Sequence, residues 1–137
     1  MNTVFVDSNI FIYAFIDKDN KGKLCRDLLD KIARGELKGI TTPVVIDELV
    51  WILLKNGQKA FLQNYLDNLY ELPNLEIADV PQNLPLLALE FILQYNLRPH
   101  DAMHCAFMKQ HDIITIATND KDFDKIKGIN RMQPMSI

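Results

Sequence analysis

Two cysteines, five glycines and six prolines are all that 137 residues contain of the three residue types that most constrain a chain. Neither Cys25 nor Cys105 has neighbours at metal-ligand spacing, which excludes both a disulfide framework and a zinc motif of the usual kind. Both sit in apolar stretches and are expected as buried free thiols, in keeping with a reducing compartment. The scarcity of glycine and proline excludes fibrous and low-complexity classes. No apolar run reaches the 18 or so residues that a membrane span needs. The start, MNTVFVDSNIFIYAF, has an acid at Asp7 and no basic segment, so it does not read as a signal peptide, and a cytoplasmic protein is expected. An excess of positive charge is missing too: Lys and Arg total 15 against 18 Asp and Glu, for a net charge of -3. That is a weak global signal for nucleic-acid binding. It does not exclude it, because a bound cation inverts the field of the acids that hold it. There is no G-x-S-x-G elbow, no P-loop and no G-x-G-x-x-G fingerprint, so nucleotide cofactor chemistry has no support.

What is present is a core. The chain is 48% apolar and 24% charged, and its length suits one domain, residues 1–137. The run TVFVD at 3–7 is short and rich in β-formers and reads as a buried strand. A short helix follows over Asn9–Phe15, then a surface turn over Asp17–Gly22. Leu24, Leu28 and Ile32 form a helical stripe that Gly35 ends. GITT at 39–42 reads as a second strand. Thr42 and Pro43 then suit the cap and first position of an apolar helix running to Leu54 and stopped by Asn56-Gly57. Phe61, Tyr65 and Leu69 mark the next helix, and the two together suggest an antiparallel hairpin. Leu75–Val80 is extended, and Leu84–Leu93 is helical. Pro99 opens a helix through Lys109, IITIA at 113–117 is a strand, and Asp120–Ile126 makes a short turn or helix. Residues 129–133 suit an edge strand. Strands alternating with helices imply an α/β fold with a mostly parallel central sheet flanked by helices.

The acids fall at telling places. Asp7 and Asp120 follow strands, and in open α/β sheets ligands bind beyond the carboxyl ends of strands. Glu48 lies under two turns into an apolar helix, on the side of Val45 and Ile52, while Asp47 points about 100° away. Asp101 sits in the first turn after Pro99, where free backbone N–H groups favour a carboxylate. Each has an ordinary explanation alone: a cap, a helix start, a turn, a salt bridge. Four such acids in one pocket would repel one another unless a cation intervened, and hard divalent ions take oxygen ligands of this kind. His100, His104 and His111 lack zinc spacing; His100 adjoins Asp101, and His104 lies three residues beyond it on the same helical side. Trp51 and Tyr65 suit either core or a partner surface.

Four segments, VFVDSNIFIYAF, TTPVVIDELVW, LRPHDAMHCAFMKQHD and IITIATNDKDF, together resemble the motifs of the PIN-domain family, and within it the small VapC-like toxins of toxin–antitoxin pairs. The resemblance covers nearly the whole chain in the family's order. It implies a single PIN-like domain and a Mg²⁺- or Mn²⁺-dependent endoribonuclease. It implies Asp7, Glu48, Asp101 and Asp120 as catalytic and metal-binding acids, with Asp122 assisting or substituting for Asp120. It makes Ser8, Asn9 and Thr118 the polar groups that orient those carboxylates. Arg98 and Lys121, next to acidic motifs, are candidates to hold the RNA backbone. A homodimer, an RNA substrate and a cognate antitoxin are the implied partners, with no membrane. Other functions for the same residues are an RNA-processing or DNA-directed PIN nuclease without an antitoxin, and a catalytically silent scaffold.

Overall fold

The computed structural model describes residues 2–132. Five strands, β1 (Thr3–Val6), β2 (Lys38–Thr41), β3 (Leu75–Ile77), β4 (Thr115–Ala117) and β5 (Asn130–Met132), form one sheet in the order β3-β2-β1-β4-β5. Every pairing is parallel. β1 lies at the centre, and its Val4, Phe5 and Val6 are fully buried, as expected of a parallel strand covered on both faces. Its apolar run has no alternation because neither face meets water.

The helices are α1 (Ser8–Ile16), α2 (Asn20–Ala33), α3 (Pro43–Lys55), α4 (Leu62–Glu71), α5 (Leu84–Leu87), α6 (Leu89–Tyr95) and α7 (Pro99–Gln110). α7 lies against the sheet through Phe107, whose ring centroid is 5.7 Å from that of Phe5 in β1. The stripe on α2 meets the sheet where β2 carries Gly39: a methyl group there would stand 3.0 Å from Ile32 Cδ1 and 2.9 Å from Leu75 Cδ1. Gly35 and Gly57 have φ of +82° and +74°, and these left-handed residues end α2 and α3 as their sequence positions suggest.

Several local expectations change. The turn over Asp17–Gly22 is shorter, because α2 already begins at Asn20 and buries Gly22. The Gly22 N–H donates to Asp17 Oδ2 at 2.6 Å. Thr42 occupies the cap position of α3, but its side chain makes no capping hydrogen bond. The apolar stretch from Leu84 breaks at Ala88 into α5 and α6. In α4, Tyr65 stacks on Phe15 of α1 at 4.8 Å, whereas Phe61, expected on the same stripe, precedes the helix and is exposed. Residues 121–125 form a 3-10 turn. Of the expected edge strand, 130–132 is formed and Gln133 lies outside the described residues, as do Met1 and 134–137 of the domain.

This topology places the site. The chain leaves β1 toward β2 and β3 on one side, while β4 and β5 occupy the other. The carboxyl ends of β1 and β4, neighbours in register through Val6 and Ala117, therefore flank the point where strand order reverses. That crevice is where open α/β sheets bind ligands.

Candidate metal centre

Asp7 is the first residue after β1. Its backbone N–H still donates to Ala117 O at 3.1 Å, so the sheet itself fixes its position. One carboxylate oxygen, Oδ1, accepts from the Ser8 N–H at 2.8 Å as the cap of α1. The other, Oδ2, accepts from the Thr118 hydroxyl at 2.8 Å. The ordinary role of a strand-end aspartate and the site role thus fall to one residue. Asn9 Nδ2 donates to Thr118 Oγ1 at 2.9 Å, and Asn9 Oδ1 accepts from the Asn119 N–H at 3.1 Å. Thr118 Oγ1 also takes the Asp120 N–H at 3.0 Å. Asn9 and Thr118 therefore tie the ends of β1 and β4 together around one buried carboxylate, whose other oxygen the Ser8 N–H holds.

Glu48 reaches the same place from α3. Its Oε1 accepts the Ser8 hydroxyl at 2.7 Å, and its Oε2 lies 3.6 Å from His100 Nδ1. Asp47 is exposed, as its helical angle requires. Asp101 is buried in the first turn of α7. Arg98 Nη2 stands 3.3 Å from Asp101 Oδ2 and 3.9 Å from Asp120 Oδ2, bridging the third and fourth acids. Asp120 Oδ1 accepts the Asp122 N–H at 2.9 Å, whereas Asp122 itself is exposed. Lys121 is exposed too, and among the described residues no ion pair joins it to the four acids. Glu48, Arg98, Pro99 and His100 line an open pocket of about 320 Å³ at the surface of this cluster.

His104 is the residue to which sequence reasoning gave too little weight. It is buried on α7, with its ring held 5.3 Å from the Phe5 ring. Its Nε2 lies 3.7 Å from Asp7 Oδ1 and 3.6 Å from Glu48 Oε1. Those separations are too long for hydrogen bonds, and Nε2 has no hydrogen-bond partner. One ligand atom each from Asp7, Glu48 and His104 lie within 4.8 Å of one another. The available signal was its spacing of three from Asp101, which puts both on one side of α7.

The electrostatics follow first from burial and then from the nearness of the charges. Burial pushes the Asp7 carboxyl above its ordinary value against the pull of His104 and Thr118. Burial and then the charge of Asp7 lift Asp101 to about 6. Burial also acts against the Glu48 charge, but His104 and the Ser8 hydroxyl outweigh it and hold Glu48 at about 2. Burial disfavours a charged His104, yet Glu48 and Asp7 raise it above the usual histidine value. Burial is the larger cause for both Asp7 and Asp101 and neighbouring carboxylates add to it, and acids buried side by side have the electrostatic character of a cation site. The oxygen-rich donor set and the buried Nε2 without a hydrogen-bond partner both fit a divalent ion.

The PIN-domain family model matches residues 4–129. The chain belongs to the PIN-domain family. This PIN domain is 28% identical to Ribonuclease VapC2 of Methanocaldococcus jannaschii, over 91% of its own length and 89% of the relative's. It is also 28% identical to Ribonuclease VapC13 of Mycobacterium tuberculosis, covering 94% and 98% of the two chains. Its fold superposes with a TM-score of 0.72 on VapBC2 from Rickettsia felis bound to a promoter DNA fragment, at 20% identity and covering 96% and 98% of the chains. With VapC20 of Mycobacterium tuberculosis, a Sarcin-Ricin loop cleaving toxin, the TM-score is 0.71 at 18% identity, covering 88% and 92%. Of the four candidate acids of this PIN domain, Asp7 and Asp120 follow strands β1 and β4, whereas Glu48 and Asp101 are carried by helices α3 and α7.

Proposed function

We infer that this PIN domain is a divalent-metal-dependent endoribonuclease and the toxin of a toxin–antitoxin pair. The observation that carries the reading is the convergence of Asp7, Glu48 and His104 within 4.8 Å, drawn from three distant stretches of chain. Asp101 and Asp120, linked by Arg98, complete the acidic rim. The names of the relatives, ribonucleases and toxin–antitoxin complexes, support the same activity.

Asp7, Glu48, Asp101 and Asp120 would hold Mg²⁺ or Mn²⁺, with Asp122 at the margin. When bound, the ion supplies Lewis-acid chemistry, acidifying a water and offsetting charge on the phosphate. Ser8, Asn9 and Thr118 fix the carboxylate oxygens before substrate arrives, which limits reorganisation during the reaction. Asp120 is only partly buried, so an incoming water can reach it and hand it a proton. The Arg98 guanidinium is 76% exposed and free to turn one edge toward an RNA phosphate. Lys121 would add a second, weaker backbone contact.

Partners follow from the same reading. Trp51, Leu54, Tyr70, Leu86, Leu89 and Leu93 expose apolar surface between residues 51 and 93, which suits a homodimer or an antitoxin contact. The cytoplasm is the proposed location: both cysteines are unpaired, and among the described residues no helix is long and apolar enough to cross a membrane.

The test is cleavage of RNA and of single-stranded DNA by the wild type and by Asp7→Asn, in Mg²⁺, Mn²⁺ or EDTA. RNA cleavage that needs the ion and falls at least about 100-fold in the variant is expected, since the whole site would be disabled. Activity that survives EDTA or the substitution refutes the assignment, and DNA cleavage alone would move the substrate.

A further inference from the structure

His104 belongs to the cluster that carries the reading above, yet the ion was there assigned to carboxylates alone. Its Nε2 is buried, has no hydrogen-bond partner, and stands at ion-pair distance between Asp7 Oδ1 and Glu48 Oε1. Leaving a buried polar atom unpaired is costly unless something occupies the space beside it. Packing against Phe5 fixes the ring, so turning away is not an inexpensive escape.

The spacing suggests the occupant. Donors bound at about 2.1 Å to a common ion stand about 3.0 Å apart at right angles and about 3.4 Å apart in a tetrahedron. The observed 3.6 and 3.7 Å are a few tenths wider, a gap that small side-chain shifts close. Imidazole nitrogen is a ligand that Mg²⁺ avoids and that transition ions accept.

We propose that His104 Nε2 is a direct ligand alongside Asp7 and Glu48, making a mixed nitrogen–oxygen site that selects Mn²⁺ over Mg²⁺. This rests on the divalent-metal reading above, but it concerns which atoms hold the ion. The rival role for the same ring is a resident cation that pairs with both carboxylates and leaves the ion all-oxygen ligands.

Pulsed electron paramagnetic resonance on the Mn²⁺-loaded full-length protein separates these. Coupling of the Mn²⁺ electron spin to ¹⁴N is expected in the wild type. It should persist in His100→Gln, which removes the other histidine beside Glu48. It should vanish in His104→Gln, with the Mn²⁺-over-Mg²⁺ preference falling at least about tenfold, the lower end of what losing a supporting hydrogen bond costs a metal site. Should His104→Gln not fold, the wild type and His100→Gln still decide. Bound Mn²⁺ without nitrogen coupling, or coupling lost in His100→Gln, overturns the proposal while leaving a metal site in place. No bound Mn²⁺ at all overturns the metal reading and the proposal together.

Discussion

Replacing Asp101 by asparagine is expected to stabilise the metal-free protein at pH 8. Burial, and then the Asp7 charge, move the Asp101 carboxyl from 3.8 to about 6. At roughly 1.4 kcal/mol per pH unit, that displacement amounts to about 3 kcal/mol held against folding once the group is ionised. Asparagine keeps the shape and removes the charge. It weakens the 3.3 Å contact with Arg98, but that guanidinium is 76% exposed and its pairing contributes little. An imperfectly paired amide returns about 1 kcal/mol or more, leaving a net gain of about 1–2 kcal/mol. For a chain of this length, that raises the melting temperature by about 3–8 °C. The pH dependence has a definite sign. The folded value lies above the unfolded one, so between about pH 4 and 6 the native state binds more protons, and wild-type stability falls as pH rises through that window. Above it the deficit is constant. The shifts of Glu48 and His104 are present in both proteins and cancel to first order in the difference. Thermal unfolding in EDTA at pH 8 and pH 4.5 is the assay. The variant's advantage should be full at pH 8 and nearly gone at pH 4.5. Saturating Mn²⁺ should reverse the order, because a ligand at 100 times its Kd contributes about 2.7 kcal/mol to the wild type. Equal melting temperatures at pH 8, or a gap that ignores pH, would show that Asp101 is not held ionised at a cost.

Thr118→Val removes the hydroxyl that donates to Asp7 and accepts from Asn9 and the Asp120 N–H. A loss of about 1–3 kcal/mol in urea unfolding is expected, with Mn²⁺ affinity down about 10–100-fold by calorimetry; unchanged affinity would deny Thr118 its orienting role. Asp120→Ala should weaken Mn²⁺ binding more than Asp122→Ala, because Arg98 draws the Asp120 carboxylate to the acids while Asp122 is exposed. The opposite ranking would transfer the fourth position to Asp122. Gly22→Ala places a methyl carbon 2.1 Å from the Asp17 carbonyl oxygen, which Arg26 Nη1 also contacts at 2.7 Å. Since backbone must move, a loss of about 1–3 kcal/mol is expected in urea unfolding, and a neutral outcome would mean that the α1–α2 junction is pliable.

The sheet was legible where residues have no choice. TVFV lacks the polar alternation of a half-exposed strand and is buried, IITIA was readable as a strand although its Ile114 is exposed, and Gly35 and Gly57 announced where helices stop. Strand order was not legible, since nothing local to β1 says that β4, rather than a nearer strand, lies at its side. The acids could be picked out one by one because strand ends and helix starts are readable positions. Their mutual distances depend on the β1–β4 pairing and on how α3 and α7 lean over it. His104 escaped for the same reason. A histidine in an apolar helix is usually plain core, and only the crossing of α7 over Phe5 turns its Nε2 toward two carboxylates. The early start of α2, where the Gly22 N–H bonds Asp17 Oδ2, leaves no mark in the apolar stripe that begins at Leu24.

The hydroxyl that completes the Asp7 carboxylate comes from a residue 111 positions further along the chain. A polypeptide still emerging from the ribosome therefore carries Asp7 and Glu48 from early on while the cleft between them lacks a wall. Until Thr115–Ala117 inserts beside β1, one long edge of the central strand is bare and the acids have no reason to meet. The last pieces of sheet to be synthesised are thus the ones that close the candidate site.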